Sequence, residues 1–292
     1  MRWEGNRESD NVEDRRAGGG GGGGFGFGGR SIGIGTIVIA LLAWGVFGIN
    51  PLTTIGVLGG AGGPAPQVQQ GPAQKPPAGD TQAAFVSTVL ASTEDAWSQV
   101  FQQGGARYQA PKLVLYRGVT PTACGTGQSA MGPFYCPGDR KVYLDMNFFD
   151  TLKRQLGAPG EFAQAYVVAH EVAHHVQTLL GITDKVDAMR GRVSQAQQNA
   201  LSVRMELQAD CFAGIWANKS QQAKNWLESG DIESAMNAAA RIGDDTLQRQ
   251  QTGAVRPESF THGSSAQRQR WFATGLKTGS VQACDTFNTQ AL

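Results

Sequence analysis

The 292-residue sequence has little charge of either sign, and its charges nearly cancel. Asp, Glu, Lys and Arg make up 17% of the residues, and 25 basic side chains face 24 acidic ones, which gives a net charge of +1. Surfaces that bind nucleic acid are normally strongly basic. The charge balance therefore gives no reason to expect nucleic acid as a partner.

Cysteine is also scarce, and its spacing excludes one kind of metal site. The sequence contains four cysteines (Cys124, Cys136, Cys211 and Cys284) and no C-x-x-C pair, which argues against a cysteine-based zinc site. An even number of cysteines in a domain outside the cytoplasm favours disulfides. Three pairings are possible. We favour Cys124 with Cys136, which closes a loop around a predicted hairpin and leaves Cys211 with Cys284.

A third absence is charge in the segment Ile32–Ile49, which has eighteen uncharged residues in a row. A bilayer-spanning helix needs about 20 apolar residues, and this segment extends to a predicted transmembrane helix over 32–58. Arg15, Arg16 and Arg30 precede it, and no Lys or Arg follows until Lys75. The positive-inside rule then predicts a single-pass inner-membrane protein with a cytoplasmic N-terminus and a periplasmic or extracytoplasmic domain. A cleaved signal peptide is the alternative, but no A-x-A site follows the segment.

The composition on either side of this segment predicts the domain boundaries. Residues 1–31 are polar and then glycine-rich, with seven consecutive glycines from Gly18, so we expect a disordered cytoplasmic tail. Residues 59–79 are rich in Gly, Pro, Ala and Gln, which is typical of an extended linker. Residues 80–292 are numerous enough for one hydrophobic core, and they form the predicted globular domain.

The pattern H-E-x-x-H at His170, Glu171 and His174 lies in a stretch predicted to be helical, EFAQAYVVAHEVAHHVQTLL. Residues four apart share a helix face, so the two imidazoles can bind one metal ion, for which we expect Zn²⁺. The neighbouring carboxylate can act as general base toward a zinc-activated water. The alternative is a merely solvated or hydrogen-bonded face. The apolar surroundings argue against it, because buried ionisable groups are costly unless they are paired or bind metal.

A second pair of residues four apart, Glu206 and Asp210, is the best source of a third ligand. The separation of 32 positions between His174 and Glu206 leaves room for one helix and a turn back. We assign Glu206 as the ligand and Asp210 as a carboxylate that orients a histidine ring. The reverse assignment stays open, and so does a charged helix edge without function.

The section before the metal helix has strand-like segments at 112–116, 132–136 and 141–144. Pro133 suits an edge strand, because proline cannot donate to a central ladder. An edge strand beside the metal helix can bind substrate backbone by strand addition. Gly132, Phe134 and Tyr135 are therefore candidate substrate-binding residues, and an ordinary hairpin is the alternative.

His262 is the only histidine outside the metal helix, and it precedes a helix capped by Ser264 or Ser265. This loop position makes it a catalytic candidate that donates a hydrogen bond to the developing oxyanion. A transient metal ligand or a loop histidine without function are the alternatives. Arg268 is a weaker candidate for the same electrostatic role.

Four stretches of the sequence together resemble the putative neutral zinc metallopeptidase family of bacterial membrane-anchored proteins. They are H-E-x-x-H-H from His170, the E-x-x-x-D pair Glu206 and Asp210, G-P-F-Y-C-P-G-D from Gly132, and S-F-T-H-G-S-S-A-Q-R from Ser259. The resemblance extends over nearly the whole chain.

The active-site plan is also similar to that of the CAAX-processing and heat-shock membrane metallopeptidases. The resemblance implies His170, His174 and Glu206 as zinc ligands, with Glu171 as the general base. In the wider group a T-H-P segment precedes the last helix, whereas this sequence has Gly263 in place of the proline.

These observations predict an α+β fold, a mostly helical zincin-like metallopeptidase domain with a small antiparallel β-sheet, preceded by one transmembrane helix. The expected activity is hydrolysis of peptide or protein substrates by zinc-activated water. One alternative is a non-catalytic zinc-containing binding or chaperone-like module, although a structural zinc site has no need of Glu171. The other is a zinc amidase that acts on cell-wall peptides.

Overall fold

The structure of the chain is a computed structural model that describes residues 1–19, 74–128 and 132–292. The predicted transmembrane helix, 32–58, and most of the predicted linker, 59–79, lie outside these residues. Within the three described ranges, no helix has the length and apolar character needed to cross a bilayer.

Helices make up most of the described fold. In chain order they are α1 (Thr81–Gln103), α2 (Phe148–Arg154), α3 (Glu161–Leu179), α4 (Ile182–Asp187), α5 (Gln195–Lys224), α6 (Asp231–Arg241), α7 (Asp244–Thr252) and α8 (Ser265–Thr278). The strands are β1 (Val12–Asp14), β2 (Lys112–Tyr116), β3 (Val119–Thr122), β4 (Gly125–Gln128), β5 (Phe134–Cys136) and β6 (Lys141–Asp145). The prediction of a mostly helical α+β fold is confirmed.

The prediction of an antiparallel sheet is wrong for the main sheet, which is mixed. Its strand order is β1-β2-β6-β5, and β1, β2 and β6 run parallel while β5 runs antiparallel to β6. The β5–β6 hairpin was predicted correctly. The parallel pairs arise because the chain between β2 and β6 turns back through β5, and because β1 comes from a distant part of the sequence. A separate antiparallel hairpin joins β3 to β4.

The prediction of a disordered tail is wrong for residues 1–19. Val12, Glu13 and Asp14 pair with Leu113, Val114 and Leu115 of β2, and Trp3 and Val12 are buried in the main hydrophobic core. The folded unit therefore contains these residues as well as 80–292. Two buried apolar side chains and a strand partner about 100 residues away join to the fold a segment that looks polar and tail-like by itself.

Helices α3, α5 and α8 form the centre of the helical layer. Gly214 of α5 and Gly275 of α8 lie where these helices cross, and a Cβ at Gly275 would overlap the carbonyl oxygen of Cys211. The absence of side chains at both glycines allows the two backbones to touch. The predicted disulfides are both present and confirm the pairing, Cys124 with Cys136 and Cys211 with Cys284. The second disulfide holds the C-terminal segment on α5, the helix that carries Glu206.

Candidate metal centre

The metal helix α3 begins and ends at glycines whose backbone conformation other residues rarely adopt. Gly160 precedes it with φ of 118°, and Gly181 follows it with φ of 69°. Both values lie in the region that favours glycine, so the sequence marks both ends of the helix. Most of α3 is buried, including His170 and Glu171, as its apolar pattern predicted.

Three of the predicted site residues meet at one point, since ligand atoms of His170, His174 and Glu206 all lie within 4.8 Å of one another. Nε2 of His170 is 3.1 Å from one oxygen of Glu206, and Nε2 of His174 is 3.5 Å from the other. Zinc–ligand bonds of about 2.0–2.2 Å at a tetrahedral centre put neighbouring ligand atoms roughly 3.4 Å apart. The spacing of the donor atoms therefore fits a zinc ion.

The other ring nitrogens explain why both Nε2 atoms face Glu206. Nδ1 of His170 lies 2.9 Å from Oδ1 of Asp210, and Nδ1 of His174 lies 2.8 Å from Oε1 of Gln177. Gln177 is itself held by donation from its Nε2 to the carbonyl oxygen of Met205. If each Nδ1–H donates to its oxygen partner, each Nε2 keeps the lone pair that a metal needs.

Asp210 is fully buried and receives several donors at once. Arg268 donates from Nε and Nη2 at 2.8 and 2.9 Å, and the Tyr166 hydroxyl donates at 2.5 Å. Burial alone would raise the pKa of Asp210, but the Arg268 and His170 charges outweigh it and lower that pKa. Arg268 is only 2% exposed and engaged with this carboxylate, so the idea that it stabilises an oxyanion directly is wrong.

The electrostatics of the site favour a positive charge between the ligands. Burial would lower the pKa of His170, but Asp210 and Glu206 outweigh it and raise that pKa to about 10. The pKa of Glu206 is well below its usual range despite burial, because His174 and His170 stabilise the carboxylate. Glu171 differs, since burial dominates and raises its pKa. A raised pKa suits a group that must take up and release a proton near neutral pH.

His262 lies on the loop before α8, in a turn organised by Asp244. One oxygen of this buried carboxylate accepts the backbone N–H groups of Thr261, His262 and Gly263 at 2.7, 2.7 and 3.0 Å. The other lies 3.2 Å from Nδ1 of His262. Burial raises the pKa of Glu206 and the nearby His174 and His170 lower it, and a protonated His262 would add a smaller lowering effect.

The local structure explains why Gly263 stands where the wider group has the proline of T-H-P. Gly263 has φ of 90°, and a Cβ there would lie 3.1 Å from a methyl group of Leu207, the residue after Glu206 on α5. A proline fixes φ near −65° and could not adopt this conformation. Glycine instead lets the His262 loop pack directly against the helix that carries the third ligand.

The candidate substrate-binding residues lie at the edge of the mixed sheet. Phe134 and Tyr135 are in β5, and Gly132 precedes them with φ of 71°. His175 connects this strand to the metal helix, because its Nδ1 lies 3.1 Å from the Tyr135 hydroxyl and its Nε2 lies 2.6 Å from the carbonyl oxygen of Gln109. A carbonyl only accepts, so Nε2 carries the proton and Nδ1 accepts from tyrosine.

Sequence reasoning missed three residues that support the site. Tyr166 and Gln177 lie on α3, four residues before His170 and three residues after His174, so helical spacing could have found both. Asp244 had no such signal, because its partner His262 lies 18 residues away across a turn.

Comparison with known proteins shows the family of the chain. The model of the family described as putative neutral zinc metallopeptidase matches residues 1–287. The uncharacterized protein YpfJ of Escherichia coli K12 is 53% identical over 294 residues, which cover 98% of this chain and 99% of YpfJ. The uncharacterized protein Rv2575 of Mycobacterium tuberculosis H37Rv is 43% identical over 220 residues, which cover 71% of this chain and 73% of Rv2575. No solved structure matches. The family implies a zinc cofactor, and the chain belongs to the putative neutral zinc metallopeptidase family.

Proposed function

We propose that the chain is a zinc-dependent metallopeptidase that hydrolyses peptide bonds in peptide or protein substrates. The observation that carries the proposal is the convergence of His170, His174 and Glu206 within 4.8 Å, with Glu171 on the same turn of the helix. Three protein ligands leave one position of a tetrahedral zinc ion open for chemistry, whereas structural zinc sites use four.

When bound by these ligands, zinc supplies a Lewis acid that lowers the pKa of water toward roughly 7 and polarises a carbonyl. Glu171 is the general base in this proposal. It takes the proton of the attacking water and passes it to the leaving amine as the peptide bond breaks. Its burial and raised pKa support this role, since a carboxylate with a raised pKa is a stronger base toward the attacking water than one with an ordinary pKa.

His262 is the proposed donor to the oxygen that becomes negative in the transition state. Burial would lower the pKa of His262, but the Asp244 carboxylate outweighs it and raises that pKa, which favours the protonated ring. With Nδ1–H directed at Asp244, Nε2–H is the donor left for the substrate. Asp244 acts through His262 and is a positioning residue.

Strand β5 is the proposed binding place for substrate backbone. Within the described residues it pairs with β6 on one side and ends the sheet on the other. The Tyr135–His175 hydrogen bond ties it to the metal helix, so an extended peptide added to this edge would run alongside the zinc ligands. Such recognition of backbone groups suits protein segments in extended conformation.

The two disulfides support a location in an oxidising compartment for the domain, because such bonds rarely persist in the bacterial cytoplasm. Attachment to the membrane through residues 32–58 stays a prediction, as these residues lie outside the described ranges.

The direct test of the proposal compares the full chain with its Glu171→Gln variant, and uses Glu161→Gln at the start of the same helix as the matched control. Zinc content and cleavage of an unfolded, casein-like protein are measured for all three. We expect one zinc per chain throughout and cleavage by the parent and the control, with a loss of at least 100-fold in Glu171→Gln. Undiminished cleavage by Glu171→Gln would contradict the mechanism. Release of fragments from cell-wall material, with no cleavage of protein, would favour the amidase alternative.

A further inference from the structure

The N-terminal residues 1–19, which we call the arm, are attached to the domain by several independent contacts. The backbone of β1 pairs with β2, and the Trp3 ring packs edge-on against Phe85 of α1 with ring centroids 5.4 Å apart. Arg7 donates to Glu94 and Asp95 of the same helix at 3.0 and 2.7 Å. The arm therefore has apolar, backbone and charged contacts with the domain, as an internal strand would.

The arm also contacts the metal helix. Nε1 of Trp3 donates to the carboxylate of Glu161, the first residue of α3, at 3.0 Å. The backbone N–H of Arg2 donates to the carbonyl oxygen of Trp226 at 2.8 Å. These contacts join the arm to the helical layer as well as to the sheet.

After residues 20–73, the chain re-enters the described fold beside the arm. Asp14 donates its backbone N–H to the carbonyl oxygen of Gln74 at 2.7 Å, and Arg16 is paired with Asp80 at 2.7 Å. Lys75 is paired with Asp10 at 2.9 Å. The two points at which the chain leaves and re-enters the described fold are therefore neighbours at the β1 edge of the sheet.

We propose that the arm and residues 74–292 lie on the same side of the membrane, as one folded unit. A single crossing between them would place a hydrocarbon layer of about 30 Å between Asp14 and Gln74, whose backbones are within hydrogen-bond distance. The single-pass arrangement with the arm in the cytoplasm and the zinc site outside is incompatible with this contact. This inference does not depend on the catalytic proposal.

The test uses two variants of the full chain that each add one cysteine, Glu4→Cys on the arm and Lys277→Cys on α8. Both side chains are exposed, and the parent chain has no free cysteine among its four, so each variant has one reactive thiol. A membrane-impermeant maleimide is added to intact cells, or to spheroplasts if the expression host has an outer membrane, and again after detergent lysis. The parent chain controls for background labelling.

The proposal predicts that both thiols behave alike, either labelled in the intact preparation or protected until lysis. Labelling of Lys277→Cys in intact preparations with protection of Glu4→Cys, or the reverse, would overturn it. Cleavage activity is not part of this readout, so a failed topology and a failed peptidase mechanism are distinguishable.

Discussion

The pair of Asp210 and Arg268 provides a quantitative test of how the zinc site is supported. Both side chains are almost fully buried, and they share two hydrogen bonds at 2.8 and 2.9 Å. Removal of one member of a buried ion pair leaves the other charge without compensation, which costs about 3–5 kcal/mol. We therefore expect Arg268→Met to lower the free energy of unfolding by about 3–5 kcal/mol, or the melting temperature by roughly 6–20 °C for a chain of this size.

The double variant Arg268→Met/Asp210→Asn separates charge from packing. The double variant removes both members of the ion pair and so leaves neither charge uncompensated. We therefore expect its free energy of unfolding to be at least about 2 kcal/mol higher than the sum of the effects of Arg268→Met and Asp210→Asn predicts. Arg270→Met, two residues along the same helix at an exposed position, is the matched control and should change stability by less than about 1 kcal/mol.

The assay is urea unfolding of the full chain, followed by tryptophan fluorescence in excess chelator so that differences in zinc binding do not contribute. The reasoning would be refuted by strictly additive single and double effects. It would also be refuted if Arg268→Met were no more destabilising than Arg270→Met.

Three further predictions concern the loop, the arm and the helix crossing. Asp244→Asn should lower kcat by about 10- to 100-fold with little change in KM, because His262 acts in the transition state. The control Asp245→Asn should preserve kcat. A change confined to KM would refute the positioning role of Asp244. Burial would raise the pKa of Glu13, but hydrogen bonds to basic side chains outweigh it and lower that pKa from 4.5 to about 2. The ionised Glu13 carboxylate therefore contributes fully to the free energy of unfolding above pH 4.5, and this contribution is lost as the pH falls through 2. The parent should therefore lose up to about 2 kcal/mol more stability than Glu13→Gln between pH 7 and pH 3 in urea unfolding, and equal losses would count against the docked arm. Gly275→Ala should destabilise the chain by about 3 kcal/mol in the same assay, and an unchanged midpoint would contradict the close crossing of α5 and α8.

Local signals in the sequence predicted the elements that carry the site. The apolar pattern of 161–180 and the glycine that follows it correspond to α3, and Asp80 and Ser264 cap helices as expected. The alternating segments at 112–116 and 132–144 correspond to β2 and the β5–β6 hairpin. These features depend on residues within one or two turns of each other, which is the range over which composition and spacing are informative.

Features that depend on distant partners could not be predicted in this way. Strand β1 has only three residues and pairs with a segment about 100 residues away, so it resembles a polar tail until β2 is placed beside it. Arg268 looked like a free cation because its partner Asp210 lies 58 residues earlier. The role of Asp244 likewise appears only when the turn around His262 is folded.

The central claim is that His170, His174 and Glu206 hold one zinc ion in an environment of nitrogen and oxygen. The most direct measurement is zinc K-edge X-ray absorption on the purified full chain, together with its metal content. We predict one zinc per chain, two imidazole ligands, one or two further oxygen ligands near 2.0–2.2 Å and no sulfur. The His174→Gln variant should lose one imidazole contribution or most of the zinc. A spectrum with sulfur ligands, or a parent chain that binds no zinc, would contradict the account.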